Sequence, residues 1–149
     1  MSDIFYKIYP AKCGHATGKP FRASTESAKL VRKATLGADY VERNLAAADD
    51  LTRPFQEAMT AWCWGFGWGD DTIDPKTRSM MNLAMLGALG KMHEWELHCR
   101  GALNNGVSRE EIRAIIHVVG IYCGVPQALE CFRAARNVLD QPPGRQASP

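Results

Sequence analysis

The chain has 149 residues, of which 46% are hydrophobic and 23% charged, with 18 Lys and Arg against 16 Asp and Glu. A chain of this length forms one domain and buries roughly 68–70% of the surface its unfolded form exposes. The apolar content excludes a disordered protein, and a net charge of +2 excludes the basic field that a nucleic-acid-binding surface needs.

The first residues, MSDIFYKIYPAKCGH, lack the basic start and long apolar run of a secretory signal. The most apolar stretch, Met80 to Leu89, is interrupted by Asn82 and is about half as long as a membrane span. Cys13, Cys63, Cys99, Cys123 and Cys131 are an odd set without CxxC spacing, which reads as reduced thiols. The expectation is a cytoplasmic protein with no membrane segment, no nucleic-acid partner and no metal site.

Residues 1–25, with Pro10, Gly14, Gly18 and Pro20, show little periodicity and read as an irregular arm. Ser24 or Thr25 can cap a helix running through Leu30, Val31 and Leu36 to Gly37, and a short helix follows over 39–47. Thr52 is a candidate cap for a helix that tolerates Pro54 in its first turn. Trp62, Trp64 and Trp68 alternate with Gly65, Gly67 and Gly69, which suggests a tight turn and a pocket wall.

Asp74-Pro75 opens a further helix, apolar nearly all round from Met80 to Leu89, so burial at the centre or in a subunit interface is expected. A fifth helix spans 93–105 and closes at Gly106; Ser108-Arg109-Glu110-Glu111 is a capping box for a sixth. Gly124-Val125-Pro126 separates that helix from a last one over 126–140, and the tail QPPGRQASP reads as disordered. No strand alternation is present. The fold class is therefore all-α, six to seven helices over 26–140.

Within the fifth helix, Met92, Trp95, Cys99, Ala102 and Leu103 share the core stripe. Lys91, Glu94, His98 and Asn105 form a second stripe. Glu94 and His98 are four residues apart, and a carboxylate beside an imidazole raises its pKa and fixes its tautomer, as general acid–base work requires. The same spacing also describes a surface pair that contributes about a few tenths of a kcal/mol to a helix. Arg78, at the start of a mostly apolar helix, is either solvated or placed to grip an anion bidentately. His117, among Ile115, Ile116, Val118 and Val119, reads as a core or interface histidine, and Cys13-Gly14-His15 is too small a cluster for a metal.

The segment DPKTRSMMNLAMLGALGKMHEWELHCRGALNNGVSREEIRAIIHVVGIYCGVPQALECFRAAR resembles the gamma-carboxymuconolactone decarboxylase family, as do KLVRKATLGADYVERNL and the segment around Trp64-Gly65. The resemblance covers about residues 29–139. It implies a fold shared with alkyl hydroperoxidases, assembled as a homo-oligomer, a hexamer by analogy with the family. It also implies loss of CO2 from an anionic lactone, gamma-carboxymuconolactone, to give an enol-lactone in aromatic catabolism.

Such a reaction needs no cofactor, because the departing carboxylate is conjugated to the lactone carbonyl and the substrate is its own electron sink. The roles implied are proton transfer by His98, orientation of His98 by Glu94, anion binding by Arg78, and an apolar wall from Trp64 and Trp68. The related peroxidases carry a CxxC pair where this chain has Lys91 and Glu94, so thiol peroxidase chemistry is disfavoured. Phe66, Asp70 and Asp71 depart from the decarboxylase pattern. They favour the alternative of a same-fold enzyme acting on a different lactone or keto acid; a non-catalytic oligomeric binding protein is a separate alternative, which requires that His98 and Glu94 be dispensable for ligand binding.

Overall fold

The computed structural model describes residues 25–140, which form seven α-helices and one π-helix, with no strand among the described residues. In chain order these are α1 (Thr25–Leu36), α2 (Ala38–Ala47), α3 (Arg53–Met59), the π-helix (Thr60–Gly67), α4 (Pro75–Ala88), α5 (Met92–Asn104), α6 (Arg109–Cys123) and α7 (Val125–Leu139). The expected arm lies outside the described residues except for Thr25, which begins α1, and the tail lies outside them altogether.

The caps read from sequence are largely in place. Asp74 accepts from the Thr77 backbone N–H at 3.0 Å, and Ser108 and Glu111 exchange both bonds of a capping box. Gly106 takes φ 83°, the left-handed conformation that ends α5 without side-chain strain. Thr52 makes no cap bond; its hydroxyl turns back to Asp49 at 2.7 Å.

Two apolar clusters organise the molecule. The larger joins α4 to α7 around Leu83, Trp95, Cys99, Ile112, Ile116 and Cys131. The smaller joins α1, α2 and the π-helix around Ala28, Leu36, Val41 and Trp64, with Leu97 packed against it. Helix α5 serves both: Trp95, Cys99 and Ala102 enter the first cluster, and Leu97 reaches the second. The Trp95 indole N–H donates to the Leu83 carbonyl at 3.0 Å, and Asn104 donates to the Thr35 carbonyl at 2.9 Å, so α5 is tied to α4 on one side and to α1 on the other.

The Met80–Leu89 stretch is not enclosed. Leu83 and Gly87 are buried, while Met81, Met85 and Leu89 are exposed, because α5, α6 and α7 all cover the same side of α4. Leu103 is exposed too, since the core stripe of α5 narrows at its end to Cys99 and Ala102. His117 is exposed rather than in the core, and its ring meets the edge of Phe132 at 6.0 Å. Cys63, Cys99, Cys123 and Cys131 are free thiols. Among the described residues no helix is long and apolar enough to cross a membrane.

Candidate active site

The Trp-Gly segment forms a π-helix continuous with α3, where a tight turn was expected. Its wide winding is visible in the Trp68 N–H, which donates to the Cys63 carbonyl five residues back at 2.8 Å. Rings four residues apart pair on both sides: Trp62 stacks with Phe66 at 5.4 Å on the exposed side, and Trp64 meets Trp68 at 5.0 Å on the inner side.

The start of this helix is anchored by Arg32, buried on α1. Its Nη1 donates to the Thr60 hydroxyl at 3.0 Å and to the Gln56 amide oxygen at 3.2 Å. The end depends on Gly69. A Cβ there would stand 2.4 Å from the Gly65 carbonyl oxygen, a distance no side chain tolerates.

The inner indole pair faces His98. The imidazole lies 6.0 Å from each of Trp64 and Trp68, at interplanar angles of 9° and 24°. Three of the residues named from sequence thus come together. Helix α5 supplies the imidazole where its surface passes from one apolar cluster to the other, and the π-helix supplies the two rings that cover it. No described residue hydrogen-bonds to the imidazole.

Burial against the indoles lowers the His98 pKa to about 4, and the Glu94 carboxylate raises it only in part. This reverses the expectation from the Glu94–His98 spacing. Glu94 is exposed to solvent and acts on the ring through charge alone, while desolvation by the tryptophans dominates. At neutral pH the ring is a neutral imidazole, one nitrogen a donor and the other an acceptor. The neighbouring Cys99 faces the core, where burial pushes its thiol up to about 12. A thiol so hard to ionise is no nucleophile.

Arg78 is set into the other end of the π-helix. Its Nη1 donates to the Gly67 carbonyl at 2.7 Å, and its Nη2 donates to the Asp70 and Ile73 carbonyls at 2.6 and 3.1 Å. The Asp70 carboxylate lies 3.9 Å away. The guanidinium therefore clamps the loop that follows the π-helix, and its charge is partly met by Asp70.

Arg78 also borders an open cleft of about 170 Å³ lined by Gly67, Trp68, Met81, Asn82 and Met85. Trp68 is common to the cleft and to the stack on His98. Sequence reading named Trp68 as part of a pocket wall and Arg78 as a contact for an anion, and both line this cleft; it did not name Asn82, which showed only as a polar residue interrupting an apolar run. Among the described residues no three His, Cys, Asp or Glu side chains group closely enough to hold a metal ion, and Cys13 and His15 lie outside the described residues.

Known proteins resemble this sequence. The model of the carboxymuconolactone decarboxylase family matches residues 53–137, from the start of α3 into α7. A nitrosuccinic acid decarboxylase of Metarhizium robertsii is 39% identical over 110 residues, 74% of this chain and 77% of the relative. A 4-carboxymuconolactone decarboxylase of Acinetobacter baylyi is 32% identical over 109 residues, 73% of this chain and 81% of the relative. With the family model spanning the π-helix, Arg78 and His98, and with two such relatives, the chain belongs to the carboxymuconolactone decarboxylase family and is a decarboxylase.

Proposed function

We propose that the chain decarboxylates a small anionic acid that carries its own electron sink, with His98 handling the proton that replaces CO2. The observation that carries this reading is the His98 imidazole, covered by Trp64 and Trp68 and hydrogen-bonded to no described residue. The substrates in the relatives' names have the required chemistry in common. In nitrosuccinate the nitro group beside one carboxylate accepts the electron pair; in gamma-carboxymuconolactone the conjugated lactone carbonyl does so.

A neutral imidazole relays a proton by accepting at one nitrogen while donating from the other, so no imidazolium need be stored in an apolar wall. Glu94 acts as the outer charge that eases this passage, Trp64 and Trp68 exclude water, and Arg78 holds the loop and offers a positive edge to the substrate anion.

Nitrosuccinate is the preferred substrate in this reading. The higher identity to the Metarhizium protein favours it, as do Phe66, Asp70 and Asp71, which depart from the lactone enzymes' pattern. Gamma-carboxymuconolactone is the second candidate. Assembly as a homo-oligomer belongs to the same proposal, supported by the exposed Met81, Met85 and Leu89 of α4.

The test is CO2 release from each acid by the purified protein and by His98→Ala. Release from nitrosuccinate, reduced about 10²–10⁴-fold in His98→Ala, is expected. Release from the lactone alone would move the assignment to the second candidate, and full activity in folded His98→Ala would remove His98 from the chemistry.

A further inference from the structure

Asn82 lies one helical turn beyond Arg78 on α4, so both side chains border the cleft beside Trp68. Their circumstances differ. Both terminal nitrogens of Arg78 are engaged by carbonyls of the 67–73 loop, and a carboxylate faces its charge. The Asn82 amide is half-buried and hydrogen-bonds to no described residue. Its amide atoms reach the open cleft, and helix propensity gives no reason for it: an amide is a poorer helix former than the leucine and methionine around it. Met81 and Met85 flank it with flexible apolar side chains that can fit closely around a small ligand.

Such an arrangement suits an oxygen atom that is nearly neutral before reaction and charged during it. A second cation would bind the substrate's carboxylates as tightly in the ground state as in the transition state and gain little. A neutral N–H gains most where charge appears, as donors at oxyanion sites do.

We propose that Asn82 donates to the sink oxygen of the substrate, a nitro or conjugated carbonyl oxygen, as the carboxylate departs. This assignment rests on the decarboxylase reading above. In the step, the carbon–carbon bond to the departing carboxylate breaks and CO2 leaves. The bonding pair moves onto the sink oxygen, giving a nitronate or dienolate held by the amide. A solvent proton relayed through His98 then takes the place of CO2 on carbon. Trp68 lines the cleft and stacks on the imidazole, so in this proposal the relayed proton passes the edge of that ring to reach the carbon.

The test uses Asn82→Leu, which keeps the size and removes the donor, and Asn82→Asp, which keeps the shape and adds a charge, each checked for folding by circular dichroism. Turnover of nitrosuccinate and of the lactone is measured beside calorimetric titration with the nitronate anion of 3-nitropropionate, the charged species that nitrosuccinate leaves on losing CO2. Both variants are expected to lose about 10²–10³-fold in kcat with little change in KM, and Asn82→Leu to lose the nitronate heat. Nitronate bound equally by wild type and Asn82→Leu, or kcat within about threefold of wild type, overturns the assignment while leaving the decarboxylase reading in place. Nitronate binding that depends on Asn82, with no CO2 from either acid, keeps the assignment and overturns the substrate reading.

Discussion

Two indoles at 6.0 Å and an exposed carboxylate one turn away act on His98 in opposite directions, and the indoles prevail. The consequence for rate is direct. If the neutral ring is the working form, kcat should be flat from about pH 5 to pH 8 and fall only as pH approaches 4. A preformed imidazolium acid would instead lose activity about tenfold per unit above that value. A pH–rate profile separates the two. Stability follows the same group with a definite sign. The unfolded chain takes up this proton near 6.5 and the folded chain only near 4, so stability is full above the upper value. It declines as pH falls between them, by up to about 3 kcal/mol. Denaturant midpoints at pH 7 and pH 4.5, compared with those of His98→Gln, measure that loss.

At the scale of elements, the π-helix decides what the site is. The sequence signals for α-helices are local and strong: Asp74 before Pro75, Ser108 with Glu111, and Gly106 at a positive φ. They made the helix order and most boundaries readable. Nothing comparable announces a π-helix, which is held by tertiary partners: Arg32 reaching from α1 to Thr60, and Arg78 reaching from α4 to the Gly67 carbonyl. Those bonds join residues distant in sequence, so the Trp-Gly segment read as a turn. Gly69 was noticed for its type, but the reason for it, the Gly65 carbonyl, is visible only in three dimensions. Gly69→Ala should therefore destabilise the protein by about 1–3 kcal/mol and loosen the indole pair. The expected signs are a lower melting temperature and a weakened near-ultraviolet circular dichroism band.

For the whole molecule, the exposed apolar side chains of the described residues include two groups that lie close in sequence. Met81, Met85 and Leu89 lie along α4, and Ile121, Tyr122 and Val125 lie where α6 passes into α7. Contiguous exposed apolar groups of this kind mark association surfaces. Sequence reading expected burial for the α4 stretch and left open whether core or neighbour supplies it. The single chain covers only one side, because helical periodicity reports that a face is apolar without naming what covers it. Met85→Glu is expected to shift sedimentation equilibrium toward smaller species than wild type forms at equal concentration. Identical sedimentation would show that this stripe is not a contact. Met85 also lines the cleft, so a companion change at Ile121→Asp distinguishes loss of assembly from loss of ligand binding.

The rings that cover the imidazole are also two of the chain's four tryptophans, its strongest chromophores in the near ultraviolet. Trp64 and Trp68 sit at the site, while Trp95 is buried in the other cluster and Trp62 pairs with Phe66 outside. A protonated imidazole stacked on an excited indole withdraws its electron and darkens it; a neutral one does so far less. A nitro compound entering beside Trp68 quenches by the same electron transfer, whereas a lactone lacks so ready an acceptor. The light emitted by these two residues is therefore a built-in gauge of both the charge on His98 and the identity of whatever occupies the cleft, legible without labels and before any product forms.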